Sequence, residues 1–129
     1  MRTIKWLNTE AVLAMHARQL AEHGGSEGVR DEGLLLSALQ RPQNKASYES
    51  PDISDLAAAY AFGIARNHPF VDGNKRTALV ASRSFLLING FQIGATKEDR
   101  LNTFIALASG ELSEDQLTVW FRRNLVPLK

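Results

Sequence analysis

The sequence predicts an all-α protein, a compact single-domain bundle of about six helices. Apolar residues recur mostly at helical spacing, and capping residues with Gly or Pro separate these periodic stretches. A chain of 129 residues with 44% apolar content can also bury one sizeable core. We find no repeat, low-complexity tract or shift in composition. Residues 1–129 are therefore expected to form one domain.

The first helix has clear boundaries in the sequence. Asn8 or Thr9 can cap it, it continues through Ala21, and Gly24-Gly25 ends it.

The second helix is predicted to be short. Asp31 can cap it, and it should stop near Arg41, because Pro42 disfavours helical geometry in the residue before it. Residues 42–53 are polar and show no period, which predicts a long loop.

The third helix opens at Asp52 or Ser54 and ends at Asn67-His68-Pro69. It is rich in Ala and contains Gly63, which predicts a central helix with neighbours packed closely around it.

The second half of the chain follows the same logic. Residues 91–93 are expected to be briefly extended and too short to found a sheet. The remaining predicted helices run from Gly73 or Asn74 to Ile88, from a cap at Thr96 to Gly110, and from a cap at Ser113 onward.

Composition excludes several classes of protein. The chain has no cysteine, which rules out disulfides, Cys-ligated metals and thiol nucleophiles. Its formal net charge of +1 argues against a non-specific nucleic-acid binder. No signal peptide is evident at the N-terminus, and no apolar run approaches the roughly 20 residues that span a bilayer. We expect a cytoplasmic protein that contacts neither a membrane nor nucleic acid directly.

Residues 68–77 (HPFVDGNKRT) hold more charged, titratable and amide side chains than a loop between helices needs. A helix that begins at Gly73 or Asn74 leaves its first backbone N–H groups unpaired, which creates an anion site suited to phosphate. Lys75 and Arg76 occupy its first turn, where the helix dipole favours acidic residues instead. Residues 64–83 hold four basic residues and one acidic residue. A bound polyanion would explain this arrangement.

The neighbouring side chains complete a reaction site. Arg76 offers a bidentate fork for phosphate and Lys75 a point charge. Asp72 can hold Mg²⁺ together with phosphate oxygens, and His68 titrates near neutrality and can accept a proton from a hydroxyl. The combination predicts phosphoryl or nucleotidyl transfer from a nucleoside triphosphate.

Each residue also has a purely structural explanation. His68 before Pro69 is typical of a capping or packing histidine, and Asp72 before Gly73 is common in turns. Phe70 is expected to anchor the loop in the core. Two further histidines, at positions 16 and 23, are expected to lie on the surface of the first helix and not to bind metal.

The segment His68-Pro69-Phe70-Val71-Asp72-Gly73-Asn74-Lys75-Arg76 resembles the Fic/Doc signature. The chain from about residue 4 to 125 resembles the Doc (death-on-curing) toxins of toxin–antitoxin modules. The chain length, the helical pattern, residues 28–35, residues 38–44 and Asn89-Gly90-Phe91 also fit.

The resemblance implies a particular reaction. Fic adenylyltransferases have a second glycine where this chain has Lys75, and a closing arginine where it has Leu79. Doc relatives share this departure and are understood to bind ATP in the opposite direction, with the γ-phosphate towards the attacking hydroxyl. The implied activity is a protein serine/threonine kinase that modifies a threonine of elongation factor Tu and stalls translation.

The resemblance also implies a role for each residue. His68 would be the general base, and Asp72 would hold Mg²⁺ or Mn²⁺ and help to orient His68. The phosphates of ATP would be bound by Gly73, Asn74, Lys75 and Arg76. Residues 42–53 would correspond to a flap that aligns the target peptide.

Control is expected to come from outside the chain. Many Fic proteins carry an inhibitory helix with a Ser or Thr four residues before a Glu, and no such pair occurs here. The implied partner is a Phd-type antitoxin whose C-terminal segment folds as a helix in a groove. Three alternatives stay open: a Fic-type adenylyltransferase, a non-catalytic helical binding module, and a degenerate toxin that survives as an antitoxin partner.

Overall fold

The computed structural model describes residues 3–128, which form six α-helices and a two-stranded antiparallel sheet. In chain order these elements are α1 (Thr9–His23), α2 (Glu32–Tyr48), α3 (Ile53–Asn67), α4 (Asn74–Ile88), β1 (Phe91–Ile93), α5 (Lys97–Ser109), α6 (Glu114–Asn124) and β2 (Leu125–Pro127). The predicted all-α bundle of about six helices is confirmed for these residues.

The predicted capping side chains are in place. Each accepts a hydrogen bond from the backbone N–H three residues further on, which stabilises a helix start by about 1 kcal/mol. These caps are Asn8, Asp31, Asp52, Thr96 and Ser113. The helix starts are thus set by local chemistry that the sequence displays.

Helix α3 forms the centre of the core, as its small residues predict. It packs against α2, α4 and α6, and ten of its fifteen residues are buried. Gly63 allows α2 to come close, since a Cβ atom there would lie 3.1 Å from the Ala38 Cα. Within residues 3–128, no helix combines the length and apolar character that crossing a bilayer requires.

The prediction that the second helix stops near Arg41 is wrong. Helix α2 continues through Pro42 to Tyr48, so the predicted loop over residues 42–53 shrinks to the non-helical residues 49–52. Proline inside a helix removes one backbone hydrogen bond and normally costs about 3 kcal/mol. Contacts elsewhere in the fold must offset this cost.

Those contacts lie on both sides of the proline. Arg41 and Lys45 both form ion pairs with Glu114 at the start of α6, and Pro42 itself is buried. Burial alone raises the pKa of Glu114, but hydrogen bonds from its two partners outweigh it and leave the pKa below its ordinary value. The Glu114 carboxylate therefore holds the helix in place across Pro42.

The small sheet was partly predicted. Residues 91–93 are extended as expected, but the expectation that they found no sheet is wrong. They pair antiparallel with residues 125–127, with Gln92 opposite Val126. The partner strand follows α6 directly, so residues 125–127 lie beside β1.

Candidate active site

The motif lies in the turn between α3 and α4 and surrounds one cavity of about 370 Å³. The six residues predicted to form the site all line this cavity, and Val71 lines it as well. The six are His68, Asp72, Gly73, Asn74, Lys75 and Arg76. The structure therefore places the six positions around one cavity, and their roles stay predictions.

His68 occupies the first position after α3 with a left-handed backbone, φ +50° and ψ +55°. Among the described residues it is the one non-glycine residue with positive φ, a conformation that costs on the order of 1–3 kcal/mol. Its side chain is exposed, and its ring nitrogens form no hydrogen bond with any residue between 3 and 128. Both ring nitrogens are therefore available for hydrogen bonds in the cavity.

The start of α4 presents unpaired donors to the same cavity. Gly73 is the N-cap, with φ +76° and no capping side chain, and the first turn contains no acidic residue. The backbone N–H groups of Asn74, Lys75 and Arg76 find no acceptor among the described residues. The Lys75 and Arg76 side chains are exposed and form no ion pair within residues 3–128. This is the geometry of an anion site.

The Asn74 carboxamide is engaged within the motif loop, and the role of Asn74 in phosphate binding stays a prediction. It is buried, its Oδ1 accepts a hydrogen bond from the Phe70 N–H at 2.9 Å, and its Nδ2 donates to the Phe70 carbonyl at 3.0 Å. Phe70 is itself buried, as expected for an anchor. Asn74 thus closes the loop with its carboxamide and offers the cavity its backbone N–H.

Asp72 provides the carboxylate of the site. Its Oδ1 accepts from the Gly73 N–H at 2.8 Å and its Oδ2 from the Ser26 N–H at 3.3 Å. The carboxylate contacts these two amides and does not hydrogen-bond to His68, so the expected orientation of His68 by Asp72 is not observed. Gly25 lies so close that a Cβ there would come within 2.9 Å of Asp72 Oδ2.

The carboxylate fits a divalent metal ion that takes most of its ligands from elsewhere. Among residues 3–128, no group of three or more His, Asp or Glu side chains could hold a metal. Mg²⁺ is commonly bound by one or two carboxylates together with substrate phosphates and water. One exposed carboxylate beside an anion site meets that requirement.

His16 is the first site residue that the sequence reasoning missed. The expectation that it lies on the surface is wrong: it is 5% exposed and stacks on Phe70, with ring centroids 3.8 Å apart. Its Nε2 lies 2.8 Å from the Asp72 carbonyl oxygen, so Nε2 carries the proton and donates it. His16 is buried because α1 packs against α4 beside the motif loop.

Residues 28–31 are the second missed feature. They run antiparallel to the motif loop, with a bridge between Val29 and Phe70. The Val71 N–H donates to the Gly28 carbonyl at 3.0 Å, and the Arg30 N–H donates to the Pro69 carbonyl at 2.7 Å. No periodicity or spacing marks this pairing, since it joins segments that are far apart in the chain.

Comparison with known proteins gives the family. The family model described as the Fic/DOC family matches residues 6–86, which include α1 to α3, most of α4 and the whole site. The chain belongs to the Fic/Doc family. It is 31% identical over 121 residues to the "Protein kinase doc" of Escherichia phage P1, covering 93% of this chain and 95% of that protein. It is 50% identical over 76 residues to the "Toxin Doc" of Mycolicibacterium smegmatis, covering 56% of this chain and 57% of that protein.

At two positions, 75 and 79, this Fic/Doc chain differs from the Fic signature. The lysine at position 75 stands in the wall of the cavity, where a glycine would leave room for close approach to the backbone. Leu79 is half-buried and packs against the core, and a leucine carries no positive charge at the position of the closing arginine. The available cations are thus Lys75 and Arg76.

Proposed function

We propose that this protein is the toxin of a toxin–antitoxin module and acts as an ATP-dependent protein serine/threonine kinase. The proposed target is a Thr or Ser hydroxyl of a translation factor, elongation factor Tu, whose phosphorylation inhibits translation. The two relatives carry the names protein kinase and toxin, which supports both parts of this assignment.

One observation carries the proposal. The His68 imidazole lines the same cavity as three backbone N–H groups and two cations, none of which has a partner within residues 3–128. A triphosphate bound at the start of α4 would be within this cavity, beside a base that could accept the proton of an incoming hydroxyl. Such an arrangement positions reactants and stabilises charge, which is what phosphoryl transfer requires.

The reaction needs few groups. The target hydroxyl gives its proton to an imidazole nitrogen of His68 while its oxygen forms a bond to the γ-phosphorus of ATP. The bond from that phosphorus to the β,γ-bridging oxygen breaks, and ADP leaves. The N–H groups at the start of α4, with Lys75 and Arg76, hold the phosphates. Mg²⁺, held by Asp72 and the phosphates, would neutralise their charge.

Lys75 favours the kinase over an adenylyltransferase. A lysine side chain in the cavity wall takes the space through which an α- or β-phosphate would reach the backbone, and it adds a cation at a different place. We infer that the γ-phosphate is the group presented to the hydroxyl.

We retain the proposal that residues 42–53 contact the target, although most of them are helical and do not form a loop. Residues 42–53 are mostly helical, yet Lys45, Tyr48 and Glu49 line a cavity of about 330 Å³. Asn67, the residue before His68, lies in the wall of the same cavity. We propose that the target protein contacts this surface next to the catalytic base.

Labelled ATP tests the reaction. The chain is incubated with bacterial extract and ATP that carries the label in the γ-phosphate or in the adenine, and the modified protein is identified by mass spectrometry. We expect transfer of the γ-label by the native chain, none by His68→Ala, and full transfer by His23→Ala, a control at an exposed histidine of α1.

Each other outcome contradicts the proposal in a different way. Retention of the adenine label on the target would establish an adenylyltransferase. Transfer that survives in His68→Ala would remove the base from the mechanism. Absence of any label with the native chain would favour a non-catalytic helical module or a degenerate toxin.

We propose a Phd-type antitoxin as the external control, with its C-terminal helix in a groove of this chain. The exposed His68, Asp72, Lys75 and Arg76 support this proposal, because no described residue shields them. The purified chain alone should stop translation in a cell-free extract, and its antitoxin should restore it. A chain that is inert without a partner would contradict an unrestrained toxin.

A further inference from the structure

Arg30 lies outside the motif but contacts the backbone that carries the base. Its side chain is exposed, its Nε donates to the His68 carbonyl at 2.7 Å, and its Nη2 donates to the Asn67 carbonyl at 2.9 Å. The two hydrogen bonds come from one planar guanidinium, so they fix the two peptide groups relative to each other.

These two carbonyls need hydrogen-bond donors from outside α3 because they lie at the end of that helix. The last four carbonyls of an α-helix have no N–H within the helix to bind, and a cation there also complements the helix dipole. Asn67 is the last residue of α3 and His68 follows it. The Arg30 guanidinium thus caps α3 from a distant segment.

The cap acts where the backbone is strained. His68 holds a left-handed conformation that usually requires Gly or Asn, and such a conformation persists when its surroundings over-determine it. The backbone pairing of residues 28–31 with the loop brings Arg30 to this point, since the Arg30 N–H also donates to the Pro69 carbonyl. Loss of the guanidinium would let the His68 peptide relax.

We propose that Arg30 is a positioning residue for His68, which it holds at the angle required for proton transfer from the target hydroxyl. This inference rests on the proposed function. Among the described residues, the hydrogen bonds that Arg30 donates go to Asn67, His68 and Pro69, and of these His68 alone lines the phosphate cavity. It should therefore govern the chemical step and leave nucleotide binding unchanged.

The test compares Arg30→Ala and Arg30→Lys with Arg18→Ala. Arg18 is another exposed arginine, and its partner is Glu22 on the same helix. For Arg30→Ala we expect kcat to fall about a hundredfold, the order of loss that a small misplacement of a catalytic group produces. The KM for ATP should stay within a factor of two. Added ethylguanidinium should restore part of kcat, and Arg30→Lys should lie in between, because an ammonium cannot bind both carbonyls.

A second readout does not depend on activity. The carbonyl ¹³C resonances of Asn67 and His68 should shift in Arg30→Ala and stay in place in Arg18→Ala. An inactive native chain would refute the proposed function, while these shifts would still report on the hydrogen bonds. Unchanged kcat in Arg30→Ala, unchanged carbonyl resonances, or a loss of ATP affinity that parallels the loss of kcat would each overturn the role of Arg30.

Discussion

The assignment of Asn74 to loop closure makes a quantitative prediction for Asn74→Ala. The change removes the partner of a buried N–H and of a buried carbonyl, both on Phe70. An unsatisfied buried group costs about 1–3 kcal/mol, so we expect the free energy of unfolding to fall by about 2–4 kcal/mol. In a domain of this size that corresponds to a drop of about 8–15 °C in Tm.

The measurement is thermal and urea unfolding followed by circular dichroism, together with ATP binding by calorimetry. Asn102→Ala, at an exposed position of α5, is the matched control and should change stability by less than about 0.5 kcal/mol. A variant Asn74→Ala with unchanged Tm and weakened ATP binding would refute the reasoning, because it would place the carboxamide on the phosphate and not on the loop.

Three further predictions concern other parts of the chain. Glu114→Gln should lower stability at neutral pH by about 1–3 kcal/mol. Because the folded pKa of Glu114 lies below its ordinary 4.5, its contribution is present above that pH and is lost as the pH falls; unfolding curves of the native chain and the variant should therefore converge in acid, and a gap that persists there would contradict the ion pairs. His68→Gly should exceed His68→Ala in unfolding free energy by about 0.5–1 kcal/mol, because glycine accepts the left-handed backbone; equal stability would argue against strain. Tyr48→Ala, at a side chain that is 89% exposed, should raise the KM for the target protein without changing Tm or ATP affinity, and an unchanged KM would remove this surface from target binding.

The elements that the sequence predicts well are those whose ends depend on neighbouring residues. Asp31 caps α2 through an N–H three residues away, and Gly110 ends α5 in a left-handed conformation. The continuation of α2 through Pro42 could not be predicted in this way. It depends on Glu114, which is 73 positions from Arg41 and 69 from Lys45. The cost of a proline within a helix can be predicted from the sequence, whereas the distant ion pairs that offset this cost cannot.

The same distinction separates the two halves of the site. The residues that line the cavity are consecutive in the chain, so their chemistry can be recognised together. The groups that hold them are not: His16 contacts the Asp72 carbonyl across 56 positions, and Arg30 contacts that of His68 across 38. Spacing on α1 shows that His16 and His23 are two turns apart, but it does not show which of them faces the loop.

The motif divides into residues that fix the loop and residues that face the cavity. Phe70 and Asn74 are buried and bind each other, whereas His68, Asp72 and the two cations are exposed. The loop is therefore held by contacts within the chain itself, and a nucleotide bound as proposed would meet donors that these contacts fix. Preformed donors lower the cost of binding, because little must be ordered when the ligand enters. If the proposed function holds, we expect restraint to come from a partner that covers these exposed side chains.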